Sequence, residues 1–185
     1  MCCLNQVISL STVSVGVGVG GTTPMLACGQ SLLDVFVRPE VNVVDYESKS
    51  TGITAADLHS VDSVDFRWLQ QHISNLKMNK IIVGHNLWQD LSVLGVTHPA
   101  VFTRDVGLYQ PFRNAIDSRM KTLGLRRMCW ELMGRRCQEG FINPTENARV
   151  SMDMYRSRSN EWEAEISSGV WACFLPPDSF SRCYS

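Results

Sequence analysis

The chain has 185 residues, which is enough for one domain with a sizeable hydrophobic core. With 44% hydrophobic and 19% charged residues, its composition is typical of a folded globular protein and excludes a disordered one. The net charge of −1 excludes a general attraction to nucleic acid or to a membrane surface. No apolar run is long enough to span a membrane, so we expect no membrane partner.

The N-terminal part of the chain predicts a meander of antiparallel strands. Valines alternate with serine or glycine over residues 7–19, which indicates a strand that enters a glycine-rich turn at Gly20-Gly21. A very short second strand is predicted at residues 25–27. A third follows over residues 33–37, and Pro39 closes it.

Helices alternate with two further strands in the rest of the chain. A loop over residues 43–53 precedes a predicted helix over residues 64–78. The candidates for the N-cap of that helix are Ser60, Asp62 and Ser63. A buried strand at residues 81–83 leads into a second helix, which Asn86 can cap and Gly95 can end.

A last strand is predicted at residues 101–102, and two helices follow it. The first is expected over residues 118–133, with Ser118 as its cap and Gly134 as its stop. The second has a clear start at Asn143-Pro144, with Glu146 three positions after the cap. Its predicted core face comprises Ala148, Met152 and Tyr155.

These elements predict an α/β fold with a mixed central sheet of about five strands flanked by helices. We expect one domain over residues 1–165. Residues 166–185 show no periodicity and are predicted to form an irregular, poorly ordered tail.

Basic residues are concentrated between Arg104 and Arg136. They are Arg104, Arg113, Arg119, Lys121, Arg126, Arg127, Arg135 and Arg136. Only Asp105, Asp117 and Glu131 oppose them. Such a segment can bind phosphates or can form a solvated helix face, and both interpretations stay open. Seven cysteines without CxxC pairing or metal-finger spacing indicate reduced thiols in an intracellular protein.

Seven short segments follow one another in an informative order. They are Val37-Arg38-Pro39, Val43-Val44-Asp45-Tyr46, Ser50-Thr51-Gly52-Ile53, Val83-Gly84-His85-Asn86 through Asp90-Leu91, His98-Pro99, Arg104-Asp105 with Tyr109, and Glu146-Asn147-Ala148-Arg149 with Met152 and Tyr155. The set resembles the DEDDh-type 3′→5′ exonucleases of the ribonuclease-H-like fold. The most similar branch comprises the RNA exonucleases related to ribosomal-RNA processing and to interferon-stimulated exonuclease. The resemblance covers roughly residues 10–162.

The resemblance implies metal-dependent 3′→5′ hydrolysis of single-stranded RNA or DNA in the nucleus or nucleolus. In that family, four carboxylates hold two Mg²⁺ or Mn²⁺ ions, which activate a water and stabilise the departing 3′ oxygen. Carboxylates suit these ions because hard cations prefer oxygen ligands. A histidine serves as general base on the water. The resemblance names no protein partner.

Most of the catalytic positions that the resemblance assigns are substituted in this chain. Alignment on Val15-Gly16-Val17-Gly18 puts the first two carboxylates at Ser11 and Val13. The third is Asp90, which is present and is the single metal-ligand candidate. The general base and the fourth carboxylate fall on Ile142 and Asn147.

We therefore predict an exonuclease-like protein that is weak or inactive as an enzyme, because one carboxylate binds Mg²⁺ poorly. Nucleic acid would be bound through Arg119, Lys121, Arg126 and Arg127. The alternative is a non-catalytic module that binds nucleic acid or protein.

Other candidates have ordinary structural interpretations. His85 and His98 do not stand at the family's base position and are expected to be structural. A replacement carboxylate pair formed by Asp105 and Glu146 has no support in the spacing. The tryptophans are interpreted as core or half-buried residues rather than base-stacking platforms, and they are Trp68, Trp88 and Trp130.

Overall fold

The N-terminal segment contributes strands to two different sheets. The computed structural model describes residues 7–17, 21–27, 32–116 and 122–184, with only the backbone for Val17 and residues 21–27. Its strands are β1 (Val7–Ser9), β2 (Ser11–Val17), β3 (Gly21–Ala27), β4 (Asp34–Val35), β5 (Val43–Asp45), β6 (Ile81–Gly84) and β7 (Thr103–Asp105). Strands β1, β6 and β7 form a parallel sheet, whereas β4, β3, β2 and β5 form an antiparallel one.

Helices cover these sheets. Those in the described residues are α1 (Ser48–Thr51), α2 (Ala55–Leu58), α3 (Phe66–Leu76), α4 (Leu87–Leu94), α5 (Gln110–Ala115), α6 (Leu125–Met133) and α7 (Pro144–Ser167), with 3₁₀ helices at Ala100–Phe102 and Asp178–Cys183. Apolar side chains of these elements form one large core and a smaller cluster of Val13, Val15, Ile53 and Leu58. In the part of the chain that is described, no helix is long and apolar enough to cross a membrane.

The predicted α/β class is confirmed, although the seven strands of the described residues divide into a parallel and an antiparallel sheet, where the prediction had one mixed sheet of about five strands. Leu10 divides the predicted first strand, and its N–H donates to the Val83 carbonyl at 2.9 Å. The chain thereby passes from the parallel into the antiparallel sheet. Strand β3 begins at Gly21 and pairs along the whole of β2, so the predicted strand at residues 25–27 is too short. Gly20 lies outside the described residues.

Two further strand predictions are wrong. Strand β5 forms in the predicted loop because Asp45 and Val43 pair with Gly16 and Val17 of β2. Residues 101–102 belong to a 3₁₀ helix, and the last strand begins one residue later, at Thr103.

Some of the predicted residues at helix ends are confirmed, and others are wrong. Asn143 caps α7 by accepting from the Glu146 N–H at 3.1 Å, as predicted. Gly95 and Gly134 end α4 and α6 in left-handed conformations, also as predicted. The predicted caps of α3 are wrong, because Asp65 accepts from the Arg67 N–H. Ser118 lies outside the described residues.

The C-terminal tail is ordered against the core, contrary to prediction. The Gln110 N–H donates to the Ala172 carbonyl, and the Phe174 N–H donates to the Leu108 carbonyl, both at 2.8 Å. The Tyr184 hydroxyl donates to Asp105 at 2.8 Å. The sequence shows no sign of this ordered segment, because isolated β-bridges and a short 3₁₀ helix attach it to the core. Neither of them requires apolar residues at a regular spacing.

Candidate functional site

Asp90 lies near the start of α4, directly after the buried strand β6. The turn between them depends on Gly84, where an added Cβ would lie 2.5 Å from Leu87 and 2.7 Å from the Leu10 carbonyl oxygen. Only glycine allows this close approach of chain segments without a rearrangement. The turn brings α4 back over β2, so that the carboxyl group of Asp90 reaches Thr12.

Asp90 forms part of the wall of a cleft of about 550 Å³, which we call the Asp90 cleft. Its lining combines hydroxyl, amide, acidic and apolar side chains: Thr12, Val13, Ser14, Glu47, Ser50, Thr51, Gln89, Asp90, Ser92, Val93, Ile142 and Phe180. Among the described residues, the lining therefore offers many uncharged hydrogen-bonding groups, two carboxyl groups and no arginine or lysine.

Two hydrogen bonds hold the Asp90 side chain. The backbone N–H of Thr12 donates to Asp90 Oδ1 at 2.8 Å, and the Thr12 hydroxyl donates to the same oxygen. Asp90 is only 6% exposed. Burial raises its pKa from 3.8 to about 7, against the opposing effect of the Thr12 hydrogen bonds, and the charge of Asp105 raises it further.

This shift predicts a pH-dependent penalty that Asp90→Asn removes. Unfolded Asp90 loses its proton near pH 3.8, whereas folded Asp90 keeps it to about pH 7. Stability of the wild-type chain therefore falls as pH rises between these values, by at most about 4 kcal/mol from this group. Denaturant unfolding of both chains from pH 4 to pH 8 should show the variant gaining relative stability. A constant difference across that range would contradict the shift.

The structure brings together three of the five positions that the resemblance assigns to catalysis. Val13, Asp90 and Ile142 line the Asp90 cleft, whereas Ser11 and Asn147 are not among its lining residues. Ser11 is buried, and the Asn147 amide oxygen accepts from Gln138 Nε2 at 2.9 Å. The residue that contacts Asp90 is Thr12, which lies between the two predicted positions on β2.

These donors do not fit a two-metal site. Within the described residues, no group of three or more His, Cys, Asp or Glu side chains could hold an ion. Val13 and Ile142 have no ligand atom, and Asp90 is already engaged with Thr12. Because Mg²⁺ dehydrates reluctantly, such a donor set is too poor to bind it well.

Asp105 and Glu146 do not replace the missing carboxylates, since each stabilises backbone elsewhere. Asp105 accepts from the N–H groups of Asn86 and Leu87 at 2.9 Å and of Gly107 at 3.0 Å. Asp105 is thus the side chain that satisfies the N-terminus of α4, and the predicted cap Asn86 makes no side-chain capping bond. Glu146 accepts from the Gln138 N–H at 3.0 Å.

The histidines outside the cleft also contact backbone. His85 Nε2 pairs with the Leu123 carbonyl, and His98 Nε2 with the Lys80 carbonyl at 3.1 Å. Burial lowers the pKa of both imidazoles. Among the three tryptophans named above, Trp88 is buried, whereas Trp68 and Trp130 are 47% and 55% exposed, which agrees with the predicted core or half-buried positions.

The basic segment divides into buried and exposed arginines. Arg104 pairs with Glu163 at 2.7 Å, and buried Arg113 donates to the Gly107 carbonyl at 3.2 Å. Neither can contact a ligand on the surface. Arg126 and Arg127 of α6 are exposed, and Arg127 lies 4.0 Å from Glu131. Arg119 and Lys121 lie outside the described residues.

Several cleft residues escaped the prediction. Glu47, Ser50 and Thr51 stand in or beside segments that carry the family resemblance, so a signal for them existed. No such signal existed for Phe180, because it lies in the C-terminal tail, outside the segments that carry the resemblance. Its ring packs 4.5 Å from Trp88 and completes the wall beside Asp90.

Comparison with curated proteins identifies relatives that share most of the chain. RNA exonuclease 4 of Cryptococcus neoformans is 33% identical over 168 residues, which cover 87% of this chain and 40% of that protein. RNA exonuclease 4 of Candida glabrata is 30% identical and covers 88% of this chain and 63% of its own length. The chain thus spans less than two thirds of these relatives. No protein-family model matches it.

Solved structures share the fold. The Pan2 catalytic unit of Neurospora crassa superposes with a TM-score of 0.71 at 20% identity, covering 91% of this chain and 29% of that one. The pseudoubiquitin hydrolase–RNA exonuclease module of Saccharomyces cerevisiae Pan2, in complex with A7 RNA, gives 0.71 at 19% identity over 89% of this chain and 30% of its own. Both comparisons support the resemblance to the DEDDh-type exonucleases, since the chain is similar in sequence to proteins named RNA exonuclease 4 and shares the ribonuclease-H-like fold of the Pan2 exonuclease structures.

Proposed function

We propose that this chain binds single-stranded RNA in the Asp90 cleft and cleaves it weakly or not at all. The observation that carries the proposal is the lining of the cleft, where Asp90 is the one position of the five assigned by the resemblance that keeps a carboxyl group. Val13 and Ile142, to which the resemblance assigns a carboxylate and the general base, line the cleft and have no atom that ligates an ion or accepts a proton.

RNA as the ligand is supported by the relatives named RNA exonuclease 4 and by the RNA-bound Pan2 modules. The cleft suits an oligonucleotide end, because hydroxyl groups of Thr12, Ser14 and Ser50 can form hydrogen bonds with sugar and base edges. Arg126 and Arg127 add positive charge to α6.

A cleavage assay tests the catalytic half of the proposal. We expect 5′-labelled single-stranded RNA to remain intact with Mg²⁺ or Mn²⁺, and Asp90→Ala to behave like the wild-type chain. Gln89→Ala, at the neighbouring cleft residue, serves as the matched control. Robust 3′→5′ shortening that Asp90→Ala abolishes would overturn the proposal.

A binding assay tests the second half. Replacing Arg126 and Arg127 with glutamate should weaken RNA binding and lower the slope of log affinity against log salt by about 0.7 for each phosphate of the single strand that is no longer bound. The control is Arg67→Glu, an exposed arginine of α3. RNA affinity equal to that of an unrelated acidic protein would favour a protein-interaction module instead.

A further inference from the structure

A second cavity, of about 620 Å³, lies between α6, the loop that follows it and the first half of α7, and we call it the arginine cavity. Its charged and amide side chains are Arg135, Arg136, Asn143, Glu146, Arg149 and Asp153. Three arginines thus share this lining with two carboxyl groups, whereas the described lining of the Asp90 cleft has two carboxyl groups and no arginine or lysine. The two cavities therefore suit ligand groups of different charge.

Two of the arginines are held by acids to different degrees. Arg135 lies 2.8 Å from Asp153, so one arginine and one carboxylate of the lining neutralise each other. Arg136 lies 3.3 Å from Glu139, but these side chains are 71% and 56% exposed, so solvent screens the pair and an anionic ligand can replace it. The Arg136 guanidinium also lies 5.8 Å from the centre of the Trp130 ring, which restrains it beside the cavity.

Arg149 contributes the third guanidinium from the opposite wall. It is exposed on α7 and lines the cavity together with Glu146. One oxygen of that glutamate accepts from the Gln138 N–H at 3.0 Å, so backbone already engages part of its charge. Because a planar guanidinium can bind two phosphate oxygens at once, Arg136 and Arg149 are the side chains best suited to hold phosphate here.

The arginine cavity adjoins the Asp90 cleft along the chain. Ile142 lines the Asp90 cleft, and the next residue, Asn143, lines the arginine cavity. Consecutive Cα atoms are about 3.8 Å apart, so the two linings meet at one peptide unit. This unit is fixed on both sides, because the Ile142 N–H donates to the Ser50 carbonyl at 2.8 Å and Asn143 caps α7.

We propose that the arginine cavity binds the phosphodiester groups of a single-stranded RNA whose end lies in the Asp90 cleft, an inference that rests on the function proposed above. The cleft takes the sugar and base at the end of the strand, where its lining has hydroxyl and amide groups. Arg136 and Arg149 bind phosphates farther from that end. The division follows from charge, since the carboxyl groups of the cleft repel a phosphate and the arginines attract it.

Binding of RNA of two lengths tests this inference. A uridine dinucleotide is short enough to be held by the Asp90 cleft alone, whereas an octanucleotide can reach the arginine cavity. Arg136→Gln and Arg149→Gln should each weaken octanucleotide binding roughly threefold to tenfold and lower the slope of log affinity against log salt by about 0.7. Fluorescence anisotropy measures both quantities. Dinucleotide binding, followed by ligand-detected NMR, should be the same in the wild-type chain and both variants.

Arg158→Gln is the matched control, because it removes the same charge from an exposed arginine. Arg158 pairs with Glu161 as Arg136 pairs with Glu139, three residues apart and largely exposed in both cases. The nine positions from Arg149 to Arg158 make about two and a half helical turns, which places Arg158 on the opposite side of α7. This control should bind the octanucleotide like the wild-type chain, and Arg149→Lys should lose less affinity than Arg149→Gln because lysine keeps the charge.

Protection from trypsin provides a second measurement, in the unmodified chain. Bound octanucleotide should slow cleavage after Arg135 and Arg136 several-fold, whereas the dinucleotide should leave the rate unchanged. Equal octanucleotide binding by the wild-type chain, Arg136→Gln and Arg149→Gln would overturn this inference and leave the proposed function standing, and so would unchanged cleavage in the octanucleotide complex. Failure of the wild-type chain to bind either RNA would contradict the proposed function itself and this inference with it.

Discussion

Glu163→Ala is expected to lower the free energy of unfolding by about 3 kcal/mol, because it leaves the Arg104 guanidinium buried without a counter-charge. Arg104 is 2% exposed, and both of its bonds to the Glu163 carboxylate are 2.7 Å long. The variant also removes the hydrogen bond that the Tyr155 hydroxyl donates to Glu163. Chemical denaturation, monitored by tryptophan fluorescence, measures the change.

Glu161→Ala is the matched control for that experiment. Glu161 lies two residues earlier on the same helix and pairs with Arg158 at 2.8 Å, but its side chain is 59% exposed. Exposed ion pairs contribute little, so this variant should unfold almost like the wild-type chain. Equal losses for the two variants would show that α7 is sensitive to any glutamate deletion rather than to the buried pair.

Asp105→Ala is expected to cost about 3–5 kcal/mol of folding free energy. Its carboxyl group accepts three backbone N–H bonds and the Tyr184 hydroxyl, and each buried donor left without a partner costs about 1–3 kcal/mol. Burial of the charged carboxylate offsets part of the stabilisation that these hydrogen bonds provide, and the same burial raises the pKa of Asp105. Thermal and denaturant unfolding should both report the loss.

Two graded variants sharpen the test. Tyr184→Phe removes a single donor and should cost about 1 kcal/mol, and Asp62→Ala, at an exposed aspartate, should cost little. From the most to the least stable variant, the expected order is Asp62→Ala, then Tyr184→Phe, then Asp105→Ala. Unfolding of Asp105→Ala that matches Tyr184→Phe would argue against a capping role for the carboxyl group.

The α/β class was predictable because local patterns carry it. The alternation of Val13 with Val15 and the apolar face of α7 depend on the period of each element, which is visible in the sequence. Strand β5 was not predictable, since it exists only through pairing with β2. Capping of α4 by Asp105 was equally hidden, because the carboxyl group comes from a strand 18 residues away.

The candidate site shows the same division. The resemblance located Asp90, and the structure places Val13 and Ile142 beside it in one cleft. The resemblance could not show that Thr12 contacts Asp90, because this contact depends on how β2 packs against α4. Nor could it place Phe180, since ring packing between the tail and α4 leaves no periodic signal.

The hydrogen bond between Tyr184 and Asp105 determines where the chain can be truncated without loss of folding. The two residues are 79 positions apart, so the N-terminal end of α4 gains its full set of bonds only through a non-local contact. Contacts of this separation form late because a long loop must close first. A fragment that stops after α7 would carry all five positions that the resemblance assigns, yet hold Asp90 on an incompletely anchored helix. Weak binding by such a fragment would reflect incomplete folding rather than the chemistry of the cleft.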